Sequence, residues 1–427
     1  MRKLNIENLD LVIYEEVLEN GLKVYLCNIP RHNIHARITS LFGGSILEFK
    51  LKGQKEFKKV PAGVAHFLEH KLFDKKDYDP LKTFENNGAS GNAFTNEFIT
   101  SYHFTGARNF DENLNELLRF VSDPYFTDEN VLKEKGIISQ EKKEDLDNNY
   151  SIVYDRSLIN TIHNLDYKNT VLGSLDDIES ITKEDLYACY DTFYHPSNMI
   201  LTVCGDIDIQ KTMKTISDFY NNKVFDKCDG IIIKDKFEPE SVVKKFDTIY
   251  KDCNSSRVLV TYKIKKPRKI KDKYLNRLYM GFLADMKFSG LSDIADIVSN
   301  DSNYLSSITP RLSLVGDYYL MCFSVTLKDY TDEAVKLIDD TIKSSIFDKE
   351  SFDLIKKSII NSMILSSESP YDICSFIVNH IRLYSEIITD SLIKAKNLDF
   401  NIFKDFVKGI DFSNRSVVVL KPLEKMD

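Results

Sequence analysis

Two histidines four residues apart, with a glutamate directly before the second, carry the clearest chemistry in this chain: His66-Phe-Leu-Glu69-His70. Neutral imidazoles at that spacing can hold a zinc ion, and a carboxylate beside them can act as base toward its water. The implied chemistry is metal-assisted hydrolysis. At about 100° per residue, the three side chains fall near 0°, 300° and 40° around a helix, so one face presents metal ligands and base together. The competing reading makes His66 and His70 hydrogen-bonded core histidines.

Zinc on two imidazoles needs a third protein ligand, usually a carboxylate, and leaves its fourth position to water. The acidic stretch Asn130 to Glu144 can supply it. Glu134 and Glu141 stand seven residues apart and share a helix face, Glu144 lies close to that face, and the pair Ile137-Ile138 can anchor the helix to a core. Read alone, Glu134 and Glu141 also fit surface acids paired with Lys135 and Lys142.

The elements that must position these groups are legible as pattern. Asn20-Gly21 followed by alternating apolar residues reads as a hairpin, Arg37–Gly44 as the next strand, and Ala62–Phe73 as a helix. Asn92–Phe104 reads as one strand, Asn109–Val121 and Thr127–Leu146 as helices. Thr182-Lys-Glu-Asp185 resembles a capping box opening a helix that ends near His195-Pro196, and Asn198–Cys204 reads as a strand. The second half replays the order: strand Arg257–Ile264, helix Tyr274–Met286, strand Tyr318–Leu327, helices Thr331–Ser344 and Phe347–Ser367, strand Arg415–Leu420. Phe126-Thr-Asp-Glu129 is echoed by Phe347-Asp-Lys-Glu350, which implies an internal duplication with its seam between Asn221 and Ser241. The expected fold is α+β: two repeated domains, residues 1–225 and 240–427, each a mostly antiparallel sheet packed against helices, enclosing a chamber.

At 427 residues the chain is too long for one ordinary core. Its net charge of −8 argues against a nucleic-acid partner. Seven scattered cysteines, never closer than 15 residues, outline neither a disulfide framework nor a cysteine metal site. A charged amino end and the lack of an apolar run near 20 residues predict a soluble, cytoplasmic protein without a membrane partner.

The motif is set in wider company. Gly63-Val-Ala-His-Phe-Leu-Glu-His-Lys-Leu-Phe73, Asn87-Gly-Ala-Ser-Gly-Asn-Ala-Phe-Thr95, Asp123-Pro-Tyr-Phe126, Glu134-x6-Glu141 and Phe193-Tyr-His-Pro-Ser-Asn-Met199 resemble the inverted-motif zinc peptidases of the pitrilysin and insulinase family, which includes mitochondrial processing peptidase. Strong matches run from about Leu18 to Asp206, and the likeness is greatest to short bacterial members. The resemblance implies a zinc endopeptidase with His66, His70 and Glu141 as ligands, Glu69 as general base, and Glu134 supporting the site from behind. It also implies that Asn92, Ala93 and Phe94 lie on an edge strand that pairs with the peptide substrate. The residues alone leave that segment equally readable as a core strand.

Aligning Phe126 with Phe347 sets Ile355 against Glu134 and Ser362 against Glu141, and Tyr274–Leu283 contains no histidine. The second half therefore cannot hold the metal. Active members of the family usually add an arginine and a tyrosine, six residues between them, from a later domain. Arg311 and Tyr318 have that spacing, but Thr309-Pro310 and Gly316-Asp317 oppose a helix there. The departure implies a dimer, with a copy of this chain or a related metal-free subunit. A different class of function, a non-catalytic structural or regulatory subunit, is opposed by the intact set of His66, Glu69, His70, Glu134 and Glu141.

Overall fold

The computed structural model describes residues 1–221, 223–225 and 228–423, and it divides into two compact units. Unit 1 comprises Met1–Lys142, Asn169–Asp235 and Met363–Asp390; unit 2 comprises Lys143–Lys168, Lys236–Ser362 and Ser391–Asp427.

Unit 1 holds strands β1 (Arg2–Ile6), β2 (Leu11–Val17), β3 (Lys23–Asn28), β4 (Ile34–Ser40), β5 (Glu48–Leu51), β6 (Lys58–Lys59), β7 (Ala89–Thr95), β8 (Thr100–Gly106), β9 (Met199–Gly205) and β10 (Ile231–Ile233). Seven form a sheet in the order β1-β2-β3-β9-β4-β8-β7, antiparallel except for the pair β3 and β9. The other three make a small sheet, β10-β5-β6. Unit 2 holds β11 (Phe246–Lys251), β12 (Ser256–Lys265), β13 (Thr309–Val315), β14 (Tyr318–Leu327) and β15 (Arg415–Pro422), in the order β11-β15-β12-β14-β13, with β11 and β15 the parallel pair. The run β3-β9-β4-β8-β7 and the whole of sheet β11-β15-β12-β14-β13 are thus one topology twice. The duplication read from Phe126 and Phe347 is present in the strand order. Its expected seam includes residues 222, 226 and 227, which lie outside the described residues.

Strand β4 shows how the sheet of unit 1 is covered. Ile34, Ala36 and Ile38 enter one core with Phe67 and Leu68, Leu114 and Leu117, and Leu186 and Cys189, from three helices: Val64–Phe73, Phe110–Val121 and Lys183–Phe193. On the opposite face Tyr25, Ile200 and Cys204 pack against Ile373, Ile377 and Ile381 of helix Pro370–Tyr384. A sheet buried on both faces takes near-continuous apolar strands, and β9, Met-Ile-Leu-Thr-Val-Cys-Gly, is buried throughout.

That second cover departs from a division at 1–225 and 240–427. Helix Pro370–Tyr384, from the second half of the chain, belongs to unit 1, and helix Asn149–Thr161, from the first half, belongs to unit 2. There its Ser157 hydroxyl lies 2.6 Å from that of Thr261 on β12. An amphipathic helix advertises an apolar stripe but not which sheet receives it, so this exchange leaves no local trace.

Local signals fared well where they were chemical. Gly21 takes φ +88° in the turn between β2 and β3, and Thr182 and Asp185 cap each other's backbone at the start of Lys183–Phe193. The single strand expected over Asn92–Phe104 is instead the hairpin β7-β8. The Asn96 carboxamide accepts from Phe98 and Ile99 N–H at 2.8 and 3.0 Å, and this Asx turn reverses the chain.

Candidate metal centre

The histidine helix starts at a forced point. Gly63 adopts φ +85°, and a Cβ there would stand 2.2 Å from the Leu172 carbonyl oxygen, so only glycine lets Val64–Phe73 begin against that loop. Phe67, Leu68 and Leu72 sink into the core of unit 1, which turns His66, Glu69 and His70 toward the acidic helix Asp128–Asp147. That helix is held by buried Val131 and Ile138. Of the expected apolar anchor only Ile138 is buried; Ile137 is half exposed.

The two helices bring three ligand-type groups together. One atom each from His66, His70 and Glu141 lies within 4.8 Å of the others. His66 Nε2 is 3.7 Å from Glu141 Oε1, and His70 Nε2 is 3.7 Å from Glu141 Oε2. Tetrahedral zinc with bonds of about 2.0–2.1 Å sets its ligand atoms roughly 3.3–3.4 Å apart. Two imidazoles and a carboxylate at these separations are a donor set that fits zinc. Glu144 is exposed and is not one of these three.

Glu134 plays a different part from Glu141. Its Oε1 accepts a hydrogen bond from His70 Nδ1 at 3.0 Å, which directs the Nε2 lone pair of His70 toward Glu141. A buried carboxylate on the far nitrogen of a ligating imidazole is the usual support for such a ring. His66 has no such partner among the described residues, and its Nδ1 is buried and unpaired. The surface pairing considered for these acids is not what Glu134 does: Lys135 instead donates to the Glu179 carbonyl.

Burial and neighbouring charge set the protonation states. Burial, helped by the adjacent His70, pulls His66 down to about 3, so it stands neutral and able to donate its lone pair. Burial also pulls on His70, but the Glu134 hydrogen bond and the charges of Glu134, Glu69 and Glu141 outweigh it and hold this imidazole above its ordinary value. Burial raises the Glu69 carboxyl, against the pull of a hydrogen bond from Thr95 and of His70, and Glu141 adds to the rise.

Thr95 links the base to the neighbouring sheet. Its hydroxyl donates to Glu69 Oε2 at 2.6 Å from the last position of β7. Strand β7 ends its sheet; among the described residues it pairs only with β8, through Asn92 with His103, Ala93 with Tyr102 and Phe94 with Ser101. An edge strand keeps a row of backbone donors and acceptors open for another chain, so Asn92, Ala93 and Phe94 are at an edge rather than in mid-sheet. Phe94 also lies under the buried guanidinium of Arg37, 5.5 Å from the ring centre.

Arg311 and Tyr318 fall in unit 2, on β13 and β14 rather than a helix. Arg311 stacks over Tyr154 at 4.5 Å, and the Tyr318 hydroxyl donates to the Glu238 carbonyl at 3.0 Å. Reading by motif passed over Thr95 and Lys71. Thr95 sits inside the quoted Asn-Ala-Phe-Thr run, where its type was a usable signal; a fully buried lysine runs against the habit of its side chain and gives none.

Three comparisons place the chain among known proteins. Residues 56–175 match the model described as insulinase, peptidase family M16, and residues 180–359 the model described as the peptidase M16 inactive domain. The chain is 36% identical over 292 residues to an uncharacterized zinc protease of Bacillus subtilis, covering 67% of this chain and 68% of that one. It is 26% identical over 166 residues to a probable mitochondrial-processing peptidase beta subunit of Arabidopsis thaliana, covering 37% and 31%. Among solved structures, an M16-like peptidase from Alicyclobacillus acidocaldarius superposes with a TM-score of 0.90 at 24% identity, covering 98% of this chain and all of that one, which is a likeness of fold.

Proposed function

We propose that this chain, which belongs to peptidase family M16, the insulinase family, is a zinc-dependent endopeptidase that cleaves peptides laid along β7. The observation that carries the reading is the convergence of His66, His70 and Glu141 with Glu69 on the same helical turn. When bound there, zinc supplies a Lewis acid that lowers the pKa of water toward about 7 and polarises a scissile carbonyl.

This chain's residues do the rest. Glu69 takes a proton from the attacking water and returns it to the leaving amine. Its burial raises its carboxyl, which brings the protonated form within reach of the second transfer. Thr95 holds one oxygen of Glu69, leaving the other to the water. Glu134 keeps His70 in the tautomer whose Nε2 faces the metal position. The outer edge of β7 at Asn92–Phe94, where the Ala93 N–H donates to the Asn92 carboxamide at 2.8 Å until a substrate strand takes its place, pairs with the peptide as an added strand and sets its register.

Arg311 and Tyr318 are engaged within unit 2, so the reading assigns further grip on the substrate to a second subunit, a copy of this chain or a metal-free relative. The competing role of a non-catalytic subunit gives no reason to keep Glu69 and Glu134 beside the three ligand-type groups.

The test is Glu69→Gln, assayed for peptide cleavage and zinc content. Zinc stays bound while the rate falls on the order of 10²–10⁴-fold; undiminished cleavage by the variant overturns the assignment.

A further inference from the structure

We propose that Lys71 is a positioning residue for the metal centre, holding Glu134, and through it His70, in place; the inference rests on the zinc reading above. Lys71 follows His70 directly and is fully buried. Its ammonium meets the Asp74 carboxylate, the Asn130 carbonyl at 3.3 Å and Glu134 Oε2 at 3.9 Å.

A lysine ammonium has three donors and is costly to bury unless oxygen atoms receive them. Here two hydrogen bonds run to the two helices of the site, to Asp74 and to the Asn130 carbonyl, and the Glu134 carboxylate adds an ion pair at 3.9 Å. Asp74 caps the histidine helix, while Asn130 and Glu134 stand one turn apart on the acidic helix. Glu134 is held at both ends: Oε1 accepts from His70 Nδ1 and Oε2 faces Lys71. That grip sets the plane of the carboxylate, which sets the tilt of the His70 ring. It also fixes the register of the acidic helix against the histidine helix, and Glu141 lies two turns further along the same rod.

The experiment measures zinc affinity of the full chain by competition with a chromogenic chelator, for Lys71→Met, Glu134→Gln and the double variant. Methionine keeps the length and apolar stem of the side chain, so packing is retained. Unfolding of the zinc-free protein is followed alongside. Each single change weakens zinc binding about 10–100-fold, and the double variant is no weaker than the worse single one, because both cut the same chain of contacts. If Lys71→Met does not fold, Asp74→Asn, which removes one partly exposed partner, carries the test with a smaller loss of affinity. Unchanged affinity in folded Lys71→Met, or in Asp74→Asn where that variant carries the test, overturns the proposal, as do losses that multiply in the double variant. Failure of the unaltered chain to bind zinc would sink the zinc reading itself, a separate outcome.

Discussion

The two units share a strand order and part company on the helices. In unit 1, Val64–Phe73 and the part of Asp128–Asp147 up to Lys142 carry His66, His70, Glu134 and Glu141. In unit 2 the corresponding places are taken by Lys273–Phe288 and the part of Lys349–Ser366 up to Ser362, which have no histidine and place Ile355 and Ser362 where the alignment sets Glu134 and Glu141. Ile355 is buried in the core of unit 2, and Glu134 is also buried, beside His70 and Lys71. The shared fold requires that position to be covered, not that it be apolar. A carboxylate survives burial there only in the unit that supplies its partners, so the chemistry is grafted on a scaffold that stands without it.

Forcing unit 2 to resemble unit 1 is the harshest way to break this comparison. Ile355→Glu buries a carboxylate among the apolar side chains of the unit 2 core and costs about 3–5 kcal/mol in denaturant unfolding, while exposed Ser362→Glu stays within about 0.5 kcal/mol. Neither variant gains a second zinc equivalent, because no histidine waits on Lys273–Phe288; a tight second site in either would refute the assignment of the metal to unit 1 alone.

Acid sharpens the contrast. His35, His103 and His380, all in unit 1, are pulled by burial to about 3, 4 and 4, with Arg37 lowering the first two further. Their folded values lie below the ordinary 6.5, so the unfolded chain binds more protons in that window. The stability they confer is whole above pH 6.5 and drains as pH falls toward 4, by roughly 1 kcal/mol per histidine at the first pH unit. Hydrogen exchange at pH 7 and 5.5, corrected for intrinsic rates, will show β4, β8 and Pro370–Tyr384 losing protection ahead of β12 and β14. Equal losses in both units would contradict the assignment of these histidines as the weak point.

The gentlest change gives unit 1 what unit 2 already has. β7 ends in Thr95 and β13 ends in Val315. Thr95→Val removes the hydroxyl bonded to Glu69 and lowers kcat about 10-fold with KM and zinc content nearly unchanged; Thr95→Ser keeps most of the rate. A loss of zinc in place of a loss of kcat would show that Thr95 supports the fold of the site rather than its base.

Much of this was legible because its causes are local. Capping at Thr182, the Asn20-Gly21 turn and the apolar periods of the helices act over a few residues, and each stands where it was expected. The hairpin β7-β8 was missed because the Phe, Thr and Ile around Asn96 favour strand while one carboxamide makes the turn. The exchange of Asn149–Thr161 and Pro370–Tyr384 between the units was not legible, since cover for the second face of a sheet is chosen by packing between segments hundreds of residues apart.

The same boundary runs through the site. That His66, Glu69 and His70 share a face was settled by the sequence alone, because the rise and turn of a helix leave no freedom once their spacing is given. Which acid meets which nitrogen was not. Glu134 and Glu141 share a face too, and only the register between the two helices, pinned at Gly63 and at Lys71, brings Glu141 before both Nε2 atoms and Glu134 behind His70. Tertiary structure alone also set β7 at the edge of its sheet with Thr95 against Glu69, since strand order is a property of the assembled sheet and of no segment within it.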